Sequence, residues 1–287
     1  MKTHQAASPR EARRPPAAHE GRRVVPQSRP PARAVASQPR RQFVPLLISL
    51  TVLLVVWQVA VLVFAPPPWL VPAPTAIARR FVEVLGDGTL ARHTWRTLIE
   101  SMGGFALALA TGVPLGYLVA HNRTVERWIA PYLAAIQSVP VIALAPLLVV
   151  WWQGGDISRN IVVAALVVFF PMFSATVTGI RTIPRELREV AKVEGASRSQ
   201  LIRFLELPVA LPVLLSGIRT SLAYATTGAV VGEFIGARYG LGVLINVARG
   251  ASDMALVAVA LLCLVAITLV FYGMLTVLER IILNWCE

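Results

Sequence analysis

Six apolar stretches divide the chain, and each is close to the length needed to cross a lipid bilayer. An α-helix needs about 20 predominantly apolar residues to cross about 30 Å of hydrocarbon, since it rises about 1.5 Å per residue. The stretches are residues 43–64, 101–120, 129–152, 161–180, 211–235 and 254–278. Three prolines interrupt the third stretch, and Arg219 and Glu233 lie near the ends of the fifth. The pattern predicts an all-α, polytopic membrane protein with about six transmembrane helices.

The same pattern divides the chain into three regions. Residues 1–42 contain seven prolines and almost no large apolar side chains, so they are predicted to be a disordered basic cytoplasmic tail. Residues 43–92 hold the first span and, from Pro74, apolar residues at helical spacing, which predict a short amphipathic helix on the outer surface. Residues 93–287 are the predicted transmembrane core. The run 43–64 is longer than the ~7–15 apolar residues of a signal peptide, so we expect it to remain as a membrane helix.

Composition supports a bilayer environment. Of the 287 residues, 56% are hydrophobic and 15% are charged, and the mean hydropathy is +0.65. Soluble domains average about 45–50% apolar and about 25% charged residues, so a soluble fold could not bury this excess. The net charge is +12, and residues 1–42 alone carry +8. These basic residues have no interleaved aromatic residues and no folded module, so nucleic-acid binding is not expected.

The distribution of Lys and Arg predicts the orientation in the membrane. With the N-terminus inside, nineteen basic residues fall on the inner side and seven on the outer side. Cytoplasmic loops carry an excess of Lys and Arg in membrane proteins. The sequence therefore predicts a multi-pass protein of the bacterial cell (inner) membrane with both termini in the cytoplasm.

One inner loop departs from the membrane pattern. Residues 181–210 contain six basic and four acidic residues between two apolar spans. Pro184 can begin a helix, because its missing N–H would be unsatisfied there, and Gly195 can end or turn that helix. Ser197 can cap a second short helix, which Leu207 and Pro208 are expected to break before the fifth span. Two short helices around a glycine, lying flat beneath a bundle, predict a docking surface for a soluble partner.

The spacing of Glu189, Ala191 and Gly195, followed after about a dozen residues by Leu207 and Pro208, resembles the EAA loop of ABC importer permeases. The resemblance extends over roughly residues 70–280. It implies that the loop couples the membrane helices to a groove of a cytoplasmic ATPase dimer. The coupling residues that it implies are Glu189, Ala191, Gly195, Ala196, Ser197 and Pro208. The alternative is an ordinary charged inner loop, which is common in membrane proteins.

The resemblance also implies partner proteins, and the sequence gives no sign of a catalytic, metal or cofactor site. An importer of this kind pairs two permease subunits, for which a homodimer is the simpler hypothesis, and receives its solute from an external binding protein. The chain has no G-x-x-x-x-G-K-[ST] motif, so ATP hydrolysis is assigned to a partner. All four histidines lie outside the predicted spans, and the two cysteines have no metal-ligand spacing. We therefore expect no catalytic residues, no metal and no cofactor.

Polar residues within the spans are candidates for the lining of a pathway. They are Gln137, Ser138, Tyr224, Thr226, Thr227 and Glu233. The alternative for the hydroxyl groups is hydrogen bonding between helices, and for Glu233 a helix-end contact is slightly favoured. Glycines four residues apart predict close helix packing within the subunit or at a dimer seam. These glycines are Gly112 and Gly116, and Gly228, Gly232 and Gly236.

The solute is indicated only by resemblance. Residues 140–146, 168–171 and 228–234 look most similar to the permease branch that serves the thiamine pyrimidine precursor and riboflavin. The same machinery for sulfonate, taurine or nitrate is the alternative. An ion-driven secondary transporter is more remote, because it would need buried ionisable residues or inverted repeats, and no convincing repeat is found. A membrane enzyme would need paired acid and base groups at depth, which the spans lack.

Overall fold

The computed structural model describes residues 40–283, and these residues contain helices and connecting segments but no strand. The helices are α1 Arg40–Phe64, α2 Pro74–Gly86, α3 Thr89–His121, α4 Arg123–Ser138, α5 Val141–Trp151, α6 Asp156–Arg181, α7 Arg185–Val193, α8 Arg198–Gln200, a π-helical segment Leu201–Glu206, α9 Leu207–Phe234, α10 Leu241–Gly250 and α11 Met254–Leu283. The all-α prediction is confirmed. Among the described residues, 40–49 at the start of α1 belong to one unit and 50–283 to another. Most of the predicted tail lies outside the described residues.

Five helices are long and apolar enough to cross a membrane, and a bent pair raises the number among the described residues to six. The pair is α4 and α5, whose axes meet at 93° around Val139 and Pro140. Proline has no N–H to donate and restricts the residue before it to extended backbone, so the helix breaks there. The predicted count of about six spans is confirmed, with the third span sharply bent.

The core of the bundle is α6, which packs against both α3 and α9. A Cβ added to Gly116 would lie 2.8 Å from the Cβ of Thr176, and one on Gly228 would lie 2.8 Å from the Cα of Ala164. The glycines that approach α6 in this way are Gly104, Gly112, Gly116, Gly217, Gly228 and Gly232. Small residues let helix backbones come close, and dispersion contacts then stabilise the pair. The predicted packing role of the spaced glycines is confirmed within the chain, except that Gly236 lies beyond the end of α9 with a φ of +116°.

The segment after α7 differs from the prediction. A break at Leu207 and Pro208 is wrong, because α8, the π-helical segment and α9 form one continuous helix, Arg198–Phe234. Pro208 lies in the first turn of α9, directly after the π-helical segment. The change of hydrogen-bond register at this point recreates a helix start, where a proline without an N–H is tolerated. The second short helix is therefore the lower end of a membrane-crossing helix and not a separate element.

The predicted amphipathic helix is confirmed as α2, which begins with Pro74 and buries Ile77 and Val84. It packs on α11. The side chain of Arg80 holds it there, because its Nε donates to Asp253 Oδ2 at 2.8 Å, next to the start of α11. Its Nη1 donates to Glu83 Oε2 of α2 itself at 2.9 Å. Helix α2 therefore lies beside the start of α11, at one end of the bundle.

Candidate functional site

The turn after α7 is built by Gly195. Its φ is +80°, a conformation that glycine adopts without a Cβ penalty. The Gly195 N–H donates to Lys192 O at 3.1 Å, and the Ala196 N–H donates to Ala191 O at 3.0 Å. These two bonds are the Schellman motif, which satisfies the last carbonyl groups of a helix. Gly195 therefore ends α7 and redirects the chain into α8.

Ser197 begins the next helix with a reciprocal pair of hydrogen bonds. Its N–H donates to Gln200 Oε1 at 2.8 Å, and its Oγ accepts from the Gln200 N–H at 3.4 Å. This capping box satisfies two N–H groups at the helix start. The predicted cap at Ser197 is confirmed, and hydrogen bonds cap the helix on each side of the glycine.

The surface of this loop is unusually apolar for a segment so rich in charge. Leu187, Val190 and Val193 of α7 are 45%, 60% and 86% exposed, and Phe204 of the π-helical segment is 70% exposed. Glu189, Gly195, Ser197 and Pro208 are also exposed, whereas Ala191 and Ala196 are partly buried. A contiguous exposed apolar patch rimmed by charge is typical of a protein-binding surface. We call this surface, Arg185–Val193 together with Gly195 and Phe204, the coupling loop.

A buried carboxylate connects the coupling loop to the bundle. Glu206 has no exposed surface, and its Oε2 accepts from the Tyr117 hydroxyl at 2.8 Å. Its Oε1 lies 2.8 Å from His121 Nε2 and 3.2 Å from Arg188 Nε. Arg188 also donates from Nη2 to Ile180 O at 2.7 Å. Glu206 and Arg188 together thus join α7 to the ends of α3, α6 and α9.

The sequence alone did not predict this network, because Glu206 stands there only as one of the four acidic residues of the loop. A usable signal was present, because Tyr117 and His121 are spaced i,i+4 at the end of an apolar span and so share one helix face. Their polar groups at that end predict a buried acceptor.

A second network lies at the opposite end of the bundle, where α9 ends. Glu233 is 1% exposed, and it accepts from the Thr97 hydroxyl and from the Gly242 N–H, both at 2.6 Å. Thr97 in turn accepts from the Leu241 N–H at 2.8 Å. The carboxylate therefore holds the N-terminus of α10, where unpaired N–H groups favour negative charge.

Glu100 extends this network toward α6 and is fully buried. It accepts from Arg96 Nε at 2.8 Å and from Asn160 Nδ2 at 3.0 Å. Arg96 also donates to Asp156 Oδ1 at 2.6 Å. Charged groups at this depth are stable only when they are paired. The two networks fasten α3, α6 and α9 together at both ends.

The predicted pathway residues fall into separate places. Gln137 and Ser138 line a cavity of about 520 Å³ between α4 and α6, and Thr226 and Thr227 line another of about 340 Å³ between α9 and α11. Tyr224 is 46% exposed on α9. Both carboxylate oxygens of Glu233 are engaged in the network described above. A lining role stays a prediction for all six residues. For Glu233, the structure shows the alternative, a contact at the end of its helix.

No group of three His, Cys, Asp or Glu side chains that could hold a metal ion is found between residues 40 and 283. The charged residue within the fifth span, Arg219, pairs with Glu279 of α11 and stacks over Tyr272 at 4.9 Å. This contact joins α9 to α11, so the charge serves helix association in this structure.

The chain is similar to known transport proteins of bacterial membranes. Residues 112–283 match the family model described as binding-protein-dependent transport system inner membrane component. The chain is 49% identical over 238 residues to the riboflavin transport system permease protein of Chloroflexus aurantiacus, which covers 83% of this chain and 88% of that protein. The formylaminopyrimidine transport permease protein of Halalkalibacterium halodurans is 33% identical, with coverage of 81% and 92%.

Proteins with lower sequence identity also match this chain. A putative aliphatic sulfonates transport permease protein of Bacillus subtilis is 31% identical over 88% of this chain and 93% of that protein. Among solved structures, an inward-facing form of the MetNI methionine ABC transporter aligns with a TM-score of 0.59 and 22% identity, over 67% of this chain and 95% of that chain. At that identity the likeness concerns the fold.

Proposed function

The chain belongs to the family of binding-protein-dependent transport system inner membrane components and is a permease subunit of an ABC importer, and from this premise we propose that its solute is riboflavin. It is a multi-pass inner membrane protein and a transport subunit, not an enzyme. The observation that supports riboflavin is the 49% identity to a riboflavin permease along most of both chains. The formylaminopyrimidine permease, at 33%, makes a thiamine precursor the second candidate.

The coupling loop is proposed to receive the force of a cytoplasmic ATPase dimer. Its exposed apolar side chains suit a groove on a soluble partner, and its charged rim suits electrostatic complementarity. Glu189, Gly195 and Ser197 are exposed on this surface, where a partner can contact them. Ala191, Ala196 and Pro208 shape the turn and the start of α9. Movement of α7 then reaches α3 and α9 through Arg188 and Glu206.

Two further partners complete the proposed importer. One is a second copy of this chain, so that two bundles enclose the pathway. The other is an extracytoplasmic binding protein, which delivers the solute to the end of the bundle that carries α2 and α10. Both termini and the coupling loop are proposed to lie in the cytoplasm, which is supported by the excess of Lys and Arg on that side.

Uptake by the whole importer tests the solute and the energy source together. In proteoliposomes with enclosed ATP, we expect uptake of labelled riboflavin that persists when an ionophore collapses the proton gradient. Gly195→Glu should lower this uptake by about tenfold or more, because a non-glycine residue at positive φ costs about 1–3 kcal/mol and the new charge enters the docking surface. Gly195→Asn is the matched control, since asparagine tolerates this conformation and nothing lies within 4 Å of the added Cβ.

Three results would contradict the proposal at distinct points. Loss of uptake with the ionophore would favour the ion-driven transporter. Riboflavin would be excluded as the solute if a formylaminopyrimidine or an aliphatic sulfonate reduced the uptake of label and excess unlabelled riboflavin did not. Normal uptake by Gly195→Glu would show that the coupling loop does not connect the ATPase to transport.

Cysteine labelling tests the orientation. In a Cys263→Ser, Cys286→Ser background, Leu70→Cys and Val193→Cys place single thiols at residues that are 59% and 86% exposed. We expect a membrane-impermeant maleimide to label Leu70→Cys in intact spheroplasts and Val193→Cys only after permeabilisation. The reverse pattern would place the coupling loop outside.

A further inference from the structure

An apolar groove runs between α1, α2 and α11. Its volume is about 570 Å³, and its walls include Leu54, Trp57, Phe81, Val82, Leu262 and Val265. Val82, Leu262 and Val265 are 68%, 57% and 55% exposed, so the groove opens to the exterior of the bundle. Surface of this kind excludes water and fits a hydrocarbon chain.

The depth of the groove matches one leaflet of a bilayer. Ala255 lies at its rim, at the start of α11, and Val265 lies at its deep end. Ten residues of α-helix rise about 15 Å, which is half of the ~30 Å hydrocarbon thickness. Helix α2 crosses the rim with its apolar side toward the groove, as an amphipathic helix lies at a membrane interface.

Arg79 places a positive charge beside the groove. Arg79 is exposed, and its guanidinium has no acceptor among the described residues, whereas the adjacent Arg80 is paired with Glu83 and Asp253. The hydrogen bond to Glu83 raises the pKa of Arg80. Arg79 lines a second cavity of about 420 Å³ with Thr75, on the polar side of α2. Arg79 and Val82 are i,i+3 neighbours, so the charge lies beside the mouth of the apolar groove.

We propose that this groove is a binding site for one phospholipid from the leaflet at the α2 end of the bundle. One acyl chain lies along Phe81, Val82 and Leu262, and the lipid phosphate pairs with Arg79. Charge complementarity selects this occupant, because arginine is suited to phosphate and the cation lies where a headgroup begins. A second copy of the chain would supply apolar side chains to the groove and leave Arg79 without an anion.

Photocrosslinking of the assembled importer in nanodiscs tests the site. The probe is phosphatidylglycerol with a diazirine in the middle of one acyl chain, and crosslinked peptides are mapped by mass spectrometry. We expect labels concentrated on Phe81, Val82, Leu262 and Val265. Ala78→Trp fills the groove and should reduce that labelling to the level of the exposed Val59, whereas Val63→Trp, at an exposed position of α1 that does not line the groove, should not.

A second pair of variants tests the headgroup contact. Arg79→Gln should lower labelling by up to about fivefold, the usual weight of an exposed ion pair. Arg249→Gln, another exposed arginine without a side-chain partner among the described residues, should leave labelling unchanged. A diacylglycerol probe, which lacks phosphate, should label the unaltered chain as weakly as phosphatidylglycerol labels Arg79→Gln.

Other outcomes would overturn the proposal. Uniform labelling of exposed positions along α1 and α11 would mean ordinary surrounding lipid and no site. A disulfide between two copies of a Val82→Cys chain, in the Cys263→Ser, Cys286→Ser background, would assign the groove to a second copy. Equal labelling by both probes would remove the phosphate contact.

Discussion

Replacing Glu206 with alanine is expected to abolish ATP-driven uptake and to lower the free energy of unfolding by about 3–5 kcal/mol. The substitution leaves the Tyr117 hydroxyl, His121 and Arg188 without their shared buried acceptor. The coupling loop then loses its only described side-chain ion pair to the start of α9. Chemical unfolding in detergent and uptake by the assembled importer measure the two effects.

Glu126→Ala is the matched control for this prediction. Glu126 also pairs with an arginine, Arg181, at 2.7 Å, but both side chains are 35–43% exposed. Exposed pairs contribute about 0–1 kcal/mol, so uptake should be nearly normal. If Glu206→Ala and Glu126→Ala behave alike, Glu206 does not connect the loop to the bundle.

The second large effect is expected for Gly240→Ala. Gly240 has a φ of 137° and a ψ of 158°, a region that is open essentially to glycine alone. An added Cβ would lie 2.2 Å from Glu233 Cδ, so the carboxylate would be pushed away from the Gly242 N–H. Backbone strain of about 1–3 kcal/mol and the lost buried hydrogen bonds, about 1–3 kcal/mol, should together lower the free energy of unfolding by about 3 kcal/mol or more.

Gly250→Ala is a control for which we expect the free energy of unfolding to rise instead of fall. Gly250 is the last residue of α10, and nothing lies within 4 Å of its added Cβ. Replacing a helical glycine with alanine stabilises by about 0.5–1 kcal/mol. Equal unfolding free energies for the two alanine variants would show that Glu233 and Gly240 do not form a strained, close contact.

The parts of the fold that the sequence predicts have local causes. An apolar run of 20 residues needs only its own length and hydropathy to specify a span, so α3, α6 and α11 were expected. The boundaries of α7 follow from Pro184 and Gly195, because each acts on its own backbone. The packing of Gly116 and Gly228 was expected because spacing by four residues places small side chains on one face.

The features that the sequence did not predict depend on residues far apart in the chain. Glu206 lies 89 positions from Tyr117 and 85 from His121, so the i,i+4 spacing of Tyr117 and His121 can predict an acceptor but cannot identify it as Glu206. The continuity of the helix through Pro208 depends on a π-helical register that begins at Leu201. The prolines of the third span predict a break, but the spacing of residues does not give the 93° angle between α4 and α5.

The sharp bend at Pro140 separates a loosely attached part of the protein from a tightly packed one. Helices α3, α6 and α9 pack closely at their glycines and share two terminal networks, so relative sliding among them would break many contacts at once. Helix α4, in contrast, buries none of its side chains and lines the cavity that holds Gln137 and Ser138. Displacement of α4 would therefore cost fewer buried contacts than displacement of any of those three helices.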